Sequence, residues 1–161
     1  MLEPPLLVIW HSRTGASEAL ASAAAAGAGE RCRLMRCEDA EASDFLSAHG
    51  YLFCGPENLA SLSGALKEMF DRLYYPLLGQ IEGRAYASII AAGSDGTGAQ
   101  RQLDRIVTGW RLRRVAPPMI VNCGAQTSDE ILARKTISRQ AADNARDLGE
   151  ALATGLDEGM F

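Results

Sequence analysis

Between Trp10 and Glu18 the chain reads His11-Ser12-Arg13-Thr14-Gly15-Ala16-Ser17, placing hydroxyls at positions 12, 14 and 17 around a glycine. The first turn of a helix leaves its N–H groups unpaired and carries the positive end of the helix dipole, so hydroxyls placed there suit an anion. The segment reads as a phosphate cradle; the alternative is that Thr14 or Ser17 simply caps the helix that follows. A second segment, Gly93-Ser94-Asp95-Gly96-Thr97-Gly98, is dense in glycine, and its backbone can approach a flat ligand closely. Neither G-x-x-x-x-G-K-[ST] nor a G-x-G-x-x-G after the first strand is present, which sets aside the P-loop and dinucleotide fingerprints. Cys54, Cys123 and His11 are the other reactive side chains near these segments. Free thiols are commonly small buried hydrophobes, and a strand-end histidine more often packs than transfers protons.

Elements that could position such loops follow from the apolar pattern. Leu6 to Trp10, Tyr51 to Cys54 and Ala85 to Ala92 are short continuous apolar runs, the pattern of strands buried on both faces. Cys32 to Met35 and Met119 to Cys123 add two weaker strands. Between them lie an alanine-dominated helix from Glu18 to Ala28, closed by Gly29, and a helical turn near Phe45 and Leu46. Next comes a helix with Leu62, Leu66, Met69, Phe70 and Leu73 on one face, stopped by Pro76 and Gly79. Two more carry Leu103, Ile106, Val107 and Trp110, then Ala141, Ala145, Leu148 and Leu152, with fraying expected from Gly155 to Phe161. Five strands alternating with helices imply right-handed crossovers onto a parallel sheet covered on both faces. In such sheets ligands bind beyond the carboxyl ends of the strands, which is where the two glycine-bearing loops fall. The small side chains of Ala19 to Ala28 allow close helix-to-sheet packing.

Composition narrows the function further. The chain has 161 residues, 47% hydrophobic and 22% charged, and reads as one domain spanning 1–161. Sixteen basic against twenty acidic residues give a net charge of −4, far from a nucleic-acid-binding footprint. The run from Pro4 to Trp10 is too short for a membrane helix, so no membrane insertion and a cytoplasmic location are expected. Four cysteines without a C-x-x-C pair, with two histidines, argue against a zinc site or a disulfide scaffold. A phosphate-accepting receiver domain would need an aspartate near the third strand's end, where Cys54 stands.

S-x-T-G-x-S at Ser12 to Ser17 resembles the FMN phosphate loop of flavodoxins. Gly55-Pro56-Glu57-Asn58, followed by Ser61-Leu62-Ser63-Gly64-Ala65-Leu66-Lys67 and Phe70-Asp71-Arg72, resembles NAD(P)H-dependent FMN reductases and tryptophan-repressor-binding-protein-type quinone reductases. The resemblance runs from about Leu6 to Val121. It implies a flavodoxin-like three-layer sandwich: a five-stranded parallel sheet of order 2-1-3-4-5 with helices on both faces. It also implies non-covalent FMN, NADPH or NADH as electron donor, and a quinone or similar small-molecule acceptor. On this resemblance Ser12, Arg13, Thr14, Gly15, Ala16 and Ser17 surround the phosphate. Pro56, Glu57, Asn58 and Leu59 line one side of the isoalloxazine, and Gly93, Ser94, Asp95, Gly96 and Thr97 meet its pyrimidine edge and other face. The sequence departs from electron-carrier flavodoxins in having no Trp or Tyr in either ring-side loop. It departs from larger quinone reductases in having little room for a lid between the fourth strand and its helix. An electron carrier and a non-enzymatic interaction module are the competing readings. Arg111, Arg113 and Arg114 form a basic cluster that could attract a nicotinamide nucleotide phosphate, and Leu73, Tyr74, Tyr75, Leu77 and Leu78 mark a candidate homo-oligomer surface.

Overall fold

Period-two alternation sorts the first strand's side chains between two cores: Leu7 and Ile9 pack on one side of the sheet, Leu6 and Val8 on the other. In the computed structural model, which describes residues 3–161, that strand is β1 (Leu6–Trp10). After it come α1 (Ala16–Ala28), β2 (Cys32–Arg36), α2 (Ala42–Ser47), β3 (Gly50–Asn58), β4 (Ser61–Leu62) and α3 (Gly64–Leu77). The second half holds β5 (Ala85–Ala92), α4 (Thr97–Gly109), β6 (Arg113–Arg114), β7 (Met119–Asn122), α5 (Ser128–Leu132) and α6 (Arg139–Asp157).

The sheet runs β2-β1-β3-β5, with both β6 and β7 pairing parallel to β5 on its outer side. Arg113 and Arg114 sit opposite Ala85 and Tyr86, and Met119 to Asn122 opposite Ile89 to Ala92, so β6 and β7 are two pieces of one edge strand. Pro117 and Pro118 lie in the gap, where two residues without an N–H cannot continue the ladder. The order 2-1-3-4-5 holds with that strand counted once. Among the described residues the sheet has seven strands where five were expected, because β4 adds a short antiparallel pair to β3 and the edge strand is split into β6 and β7.

One face is covered by α2, α3 and α4 around an aromatic cluster in which Phe45, Tyr51, Phe53, Phe70 and Trp110 have ring centroids 5.1–6.4 Å apart. The other is covered by α1 and α6. The alanine run in α1 brings the helix close to α6 as well as to the sheet. A Cβ at Gly27 would overlap the Arg146 carbonyl, and one at Gly149 the Ala24 carbonyl, so the two backbones touch from both sides.

Several boundaries differ from the sequence reading. β3 continues four residues past Cys54, because β5 gives Gly55 and Pro56 partners in Ile90 and Ala91 and the β3–β4 hairpin gives Glu57 and Asn58 partners in Leu62 and Ser61. Pro76 lies inside the last turn of α3 instead of ending it. The chain's end does not unwind at Gly155: α6 runs to Asp157, Met160 N–H bonds the Gly155 carbonyl at 2.9 Å, and the Phe161 ring covers Gly155. The helix α5 has no counterpart in the sequence reading. It is held by a capping box, with Thr127 Oγ1 accepting from Glu130 N–H at 3.2 Å and the Glu130 carboxylate accepting from Thr127 N–H at 3.0 Å.

Candidate functional site

At the carboxyl ends of β1, β3, β5 and β7 lies a cleft of about 630 Å³, within the usual range for cofactor sites. Ser12, Arg13, Thr14, Ala16 and Ser17 form its first wall. Gly15 is the N-cap of α1 at φ +106°, a conformation open to glycine, and its N–H donates to Ser12 Oγ at 3.0 Å. The Ser12 hydroxyl thus shapes the turn. The first intrahelical bond is Ala19 N–H to the Gly15 carbonyl, so the amides of Ala16, Ser17 and Glu18 precede the helix's own ladder. Among the described residues Ser17 Oγ finds no hydrogen-bond partner, though it is buried, on a residue only 2% exposed that lines the cleft.

The second wall is Pro56, Glu57, Asn58, Leu59 and Ala60. Leu59 and Ala60 both have positive φ, 51° and 61°, forming the two-residue turn between Asn58 and Ser61. Leu59 is 101% exposed at the cleft's rim. The Glu57 carboxylate accepts from Gly96 N–H at 2.9 Å and Ala99 N–H at 3.1 Å, tying the hairpin to the start of α4. Gly98 is pressed against the Ala60 carbonyl, leaving no room there for a Cβ.

Gly93 and Ser94 join Ala91 and Ala92 as the third wall. Their carbonyls accept from Ala125 N–H at 2.9 Å and from Asn122 Nδ2 at 2.8 Å. Asp95, Gly96 and Thr97, like Gly15, are not among the lining residues. The Asp95 carboxylate accepts from Thr97 N–H and Oγ1, and Gly96, at φ +95°, forms the N-cap of α4 against Ile120.

A fourth wall comes from the segment after β7: Cys123, which the sequence already placed near the loops, and Ala125, Ile131, Leu132 and Lys135, which escaped the sequence reading. That segment crosses the first loop. Lys135 N–H donates to the Thr14 carbonyl at 2.7 Å, and the Arg134 guanidinium carbon lies 3.1 Å from where a Gly15 Cβ would stand. The T-x-x-E box at Thr127 was the one local signal that could have marked it.

His11 lies beside the cleft. Its Nδ1 is 2.8 Å from Ser63 Oγ and its Nε2 is 3.7 Å from the Glu38 carboxylate. Burial pushes its imidazole pKa below the ordinary value, Arg13 and Arg36 adding to the shift and Glu38 opposing it. Cys54 is fully buried and its thiol pKa is pushed up by burial, whereas Cys123 is half-buried on the fourth wall. Arg113 and Arg114 pair with the first residues of β5, at the end of the sheet away from the cleft, and Arg114 is engaged by Asp104 and lies over the Tyr86 ring. This cluster cannot serve a donor bound in the cleft. Leu73 and Leu77 belong to the core, while Tyr75 and Leu78 remain exposed.

A cleft at the carboxyl edge of a 2-1-3-4-5 parallel sheet, its first loop shaped for an anion, defines a flavodoxin-like protein. Residues 39–127, more than half of the chain, match the family described as NADPH-dependent FMN reductase, and the chain belongs to that family of flavin oxidoreductases. It is 31% identical over 107 residues to a flavodoxin of Aquifex aeolicus (strain VF5), a match covering 64% of this chain but 58% of that protein, so the chain spans less than two thirds of its curated relative. Among solved structures, an archaeal flavodoxin superposes with TM-score 0.77 at 13% identity, over 94% of this chain and 98% of that one. A flavodoxin, WrbA-like protein from Agrobacterium tumefaciens gives 0.71 at 17%, over 95% and 97%. Rubredoxin oxygen:oxidoreductase from Desulfovibrio gigas gives 0.75 at 14%, over 96% of this chain and 36% of that one. At these identities the likeness is one of fold. Among the described residues no helix is long and apolar enough to cross a membrane.

The site's own chemistry fits FMN. An orphaned hydroxyl and unpaired first-turn amides stand at one end for a phosphate, and Pro56, Leu59, Ile131 and Leu132 offer apolar surface for a ring system.

Proposed function

We propose that this cleft holds FMN and that the protein uses NAD(P)H to reduce it, passing the electrons to a quinone or similar small acceptor in the same cleft. The observation that carries the reading is the orphaned Ser17 hydroxyl beside the unpaired amides of α1, at one end of a cleft otherwise walled largely by apolar side chains. Bound FMN supplies hydride acceptance and electron release; the protein supplies position and electrostatics. Ser17 donates to the phosphate, and the Ala16, Ser17 and Glu18 amides face it with the helix dipole behind them. Ser12, Arg13, Thr14 and Gly15 complete the loop, Gly15 through its backbone shape. Pro56 to Leu59 cover one face of the ring. Gly93 and Ser94 meet its edge, their carbonyls fixed by Ala125 and Asn122, while Asp95, Gly96 and Thr97 hold that loop in place from behind. Glu57 acts through α4, locking the ring-side hairpin to the third loop.

The test is anaerobic mixing of flavin-loaded protein with NADPH or NADH, followed by a quinone. Rapid loss of flavin absorbance and its return on quinone addition support the reading; a loaded protein that stays oxidised defeats it. The flavodoxin named among its relatives favours one alternative, an electron carrier. A carrier would take electrons only through a separate reductase.

A further inference from the structure

Lys135 is the one cation of the fourth wall, and no carboxylate among the described residues lies within ion-pair distance of it. Its ammonium is held by neutral oxygens: the Ile131 carbonyl at 2.9 Å, the Ala133 carbonyl at 2.5 Å and, more loosely, Thr14 Oγ1 at 3.5 Å. These contacts fix where the charge sits without neutralising it. Its backbone is anchored as well, through the bond to the Thr14 carbonyl. The neighbouring Arg134 contrasts with it, being 77% exposed and within 4.0 Å of the Glu18 carboxylate.

Resting on the FMN reading above, we propose that Lys135 is a specificity-determining residue of this site: it neutralises the terminal phosphate of the cofactor and makes the protein select FMN over unphosphorylated riboflavin. A phosphate monoester carries about −1.5 to −2 charges at neutral pH, so a cation fixed at the loop adds to what hydroxyls and helix-end amides contribute. An uncompensated ammonium beside Thr14 of the first loop, lining the same cleft as the unpartnered Ser17 hydroxyl, supplies that charge. The segment from Gly124 to Ser138 therefore works as a strap that brings this cation back over a loop more than a hundred residues earlier in the chain.

The experiment titrates flavin-free protein with FMN and, separately, with riboflavin, following quenching of flavin fluorescence in the wild type, Lys135→Met, Lys135→Arg and Arg134→Gln. The wild type prefers FMN, and added salt narrows that preference by weakening FMN alone. Lys135→Met lowers FMN affinity about tenfold, as expected for losing a charge-assisted contact, and leaves riboflavin affinity unchanged. Lys135→Arg restores most of the preference, and Arg134→Gln changes it less than Lys135→Met does. A wild-type preference that survives Lys135→Met within twofold overturns the role of Lys135 and leaves the FMN reading standing. Equal losses for both flavins also overturn it, marking Lys135 as a support for α5. A wild type that binds riboflavin as well as FMN sinks the phosphate cradle and the proposal together. Should Lys135→Met fold poorly, Lys135→Gln takes its place, and a preference for FMN that stays within twofold of the wild type overturns the proposal.

Discussion

Replacing Leu59-Ala60 with Asn-Gly should stabilise the protein while weakening its hold on the flavin ring. Both residues occupy the left-handed region, at φ 51° and 61°, where an L side chain costs about 1–2 kcal/mol and where Asn and Gly are the favoured pair. Leu59 is 101% exposed, so its loss forfeits no burial in the isolated protein. Glycine at 60 gives back about 0.4–1 kcal/mol through the freedom it adds to the unfolded chain. The net expectation is a gain of about 1–2 kcal/mol, or roughly 2–8 °C in Tm for a domain of this size. Urea denaturation of the flavin-free protein reads the stability, and fluorescence titration with riboflavin, which lacks the phosphate, reads the ring contact alone. If the double variant is no more stable than the wild type, the turn is not strained. If riboflavin binds as tightly as before, Leu59 does not cover the ring.

Three other outcomes follow from contacts already described. Gly149→Ala drives a Cβ into the Ala24 carbonyl and should cost about 3 kcal/mol in urea unfolding; a loss under about 0.5 kcal/mol would show that α1 and α6 are free to part. Gly98→Ala pushes on the Ala60 carbonyl and should cost about 1–3 kcal/mol and shorten flavin retention on gel filtration, whereas unchanged retention would separate the hairpin's position from binding. His11, whose folded pKa lies below its ordinary value of 6.5, is protonated more readily in the unfolded chain. Its contribution is therefore intact above about pH 6.5 and declines as the pH falls from there through the lower folded pKa. The stability gap between wild type and His11→Gln should shrink between pH 8 and pH 5.5, and a gap independent of pH contradicts the burial argument.

The strands β1 and β5 were legible to the residue, because a run such as Leu6 to Trp10 or Ala85 to Ala92 is buried on both faces and bounded by polar or glycine-bearing segments. The extension of β3 was not. Gly55 and Pro56 mark a loop by local chemistry, and it is their pairing with Ile90 and Ala91 of β5 that makes them strand, β4 adding partners for Glu57 and Asn58. The hairpin turn was equally hidden, since Leu59-Ala60 carries none of the Asn or Gly that usually announces one. β6 consists of two arginines, with no apolar pattern to find. Much of the cleft was visible in the first and second loops, whose lining residues are contiguous in sequence. Most of the fourth wall was not, because Lys135 reaches Thr14, and brings Ile131 and Leu132 to the cleft, across a distance in sequence that no local pattern records.

The paired glycine contacts between α1 and α6 bear on how a ligand gets in and out. α1 begins with the free amides of the first loop, and α6 begins at Arg139, immediately after the segment that carries Lys135, so locking the two helices backbone to backbone ties both sides of the proposed phosphate grip to one block. That end of the cleft is set before anything binds and has little give. Entry and escape then fall to the opposite side, past the bare leucine at the tip of the two-residue turn.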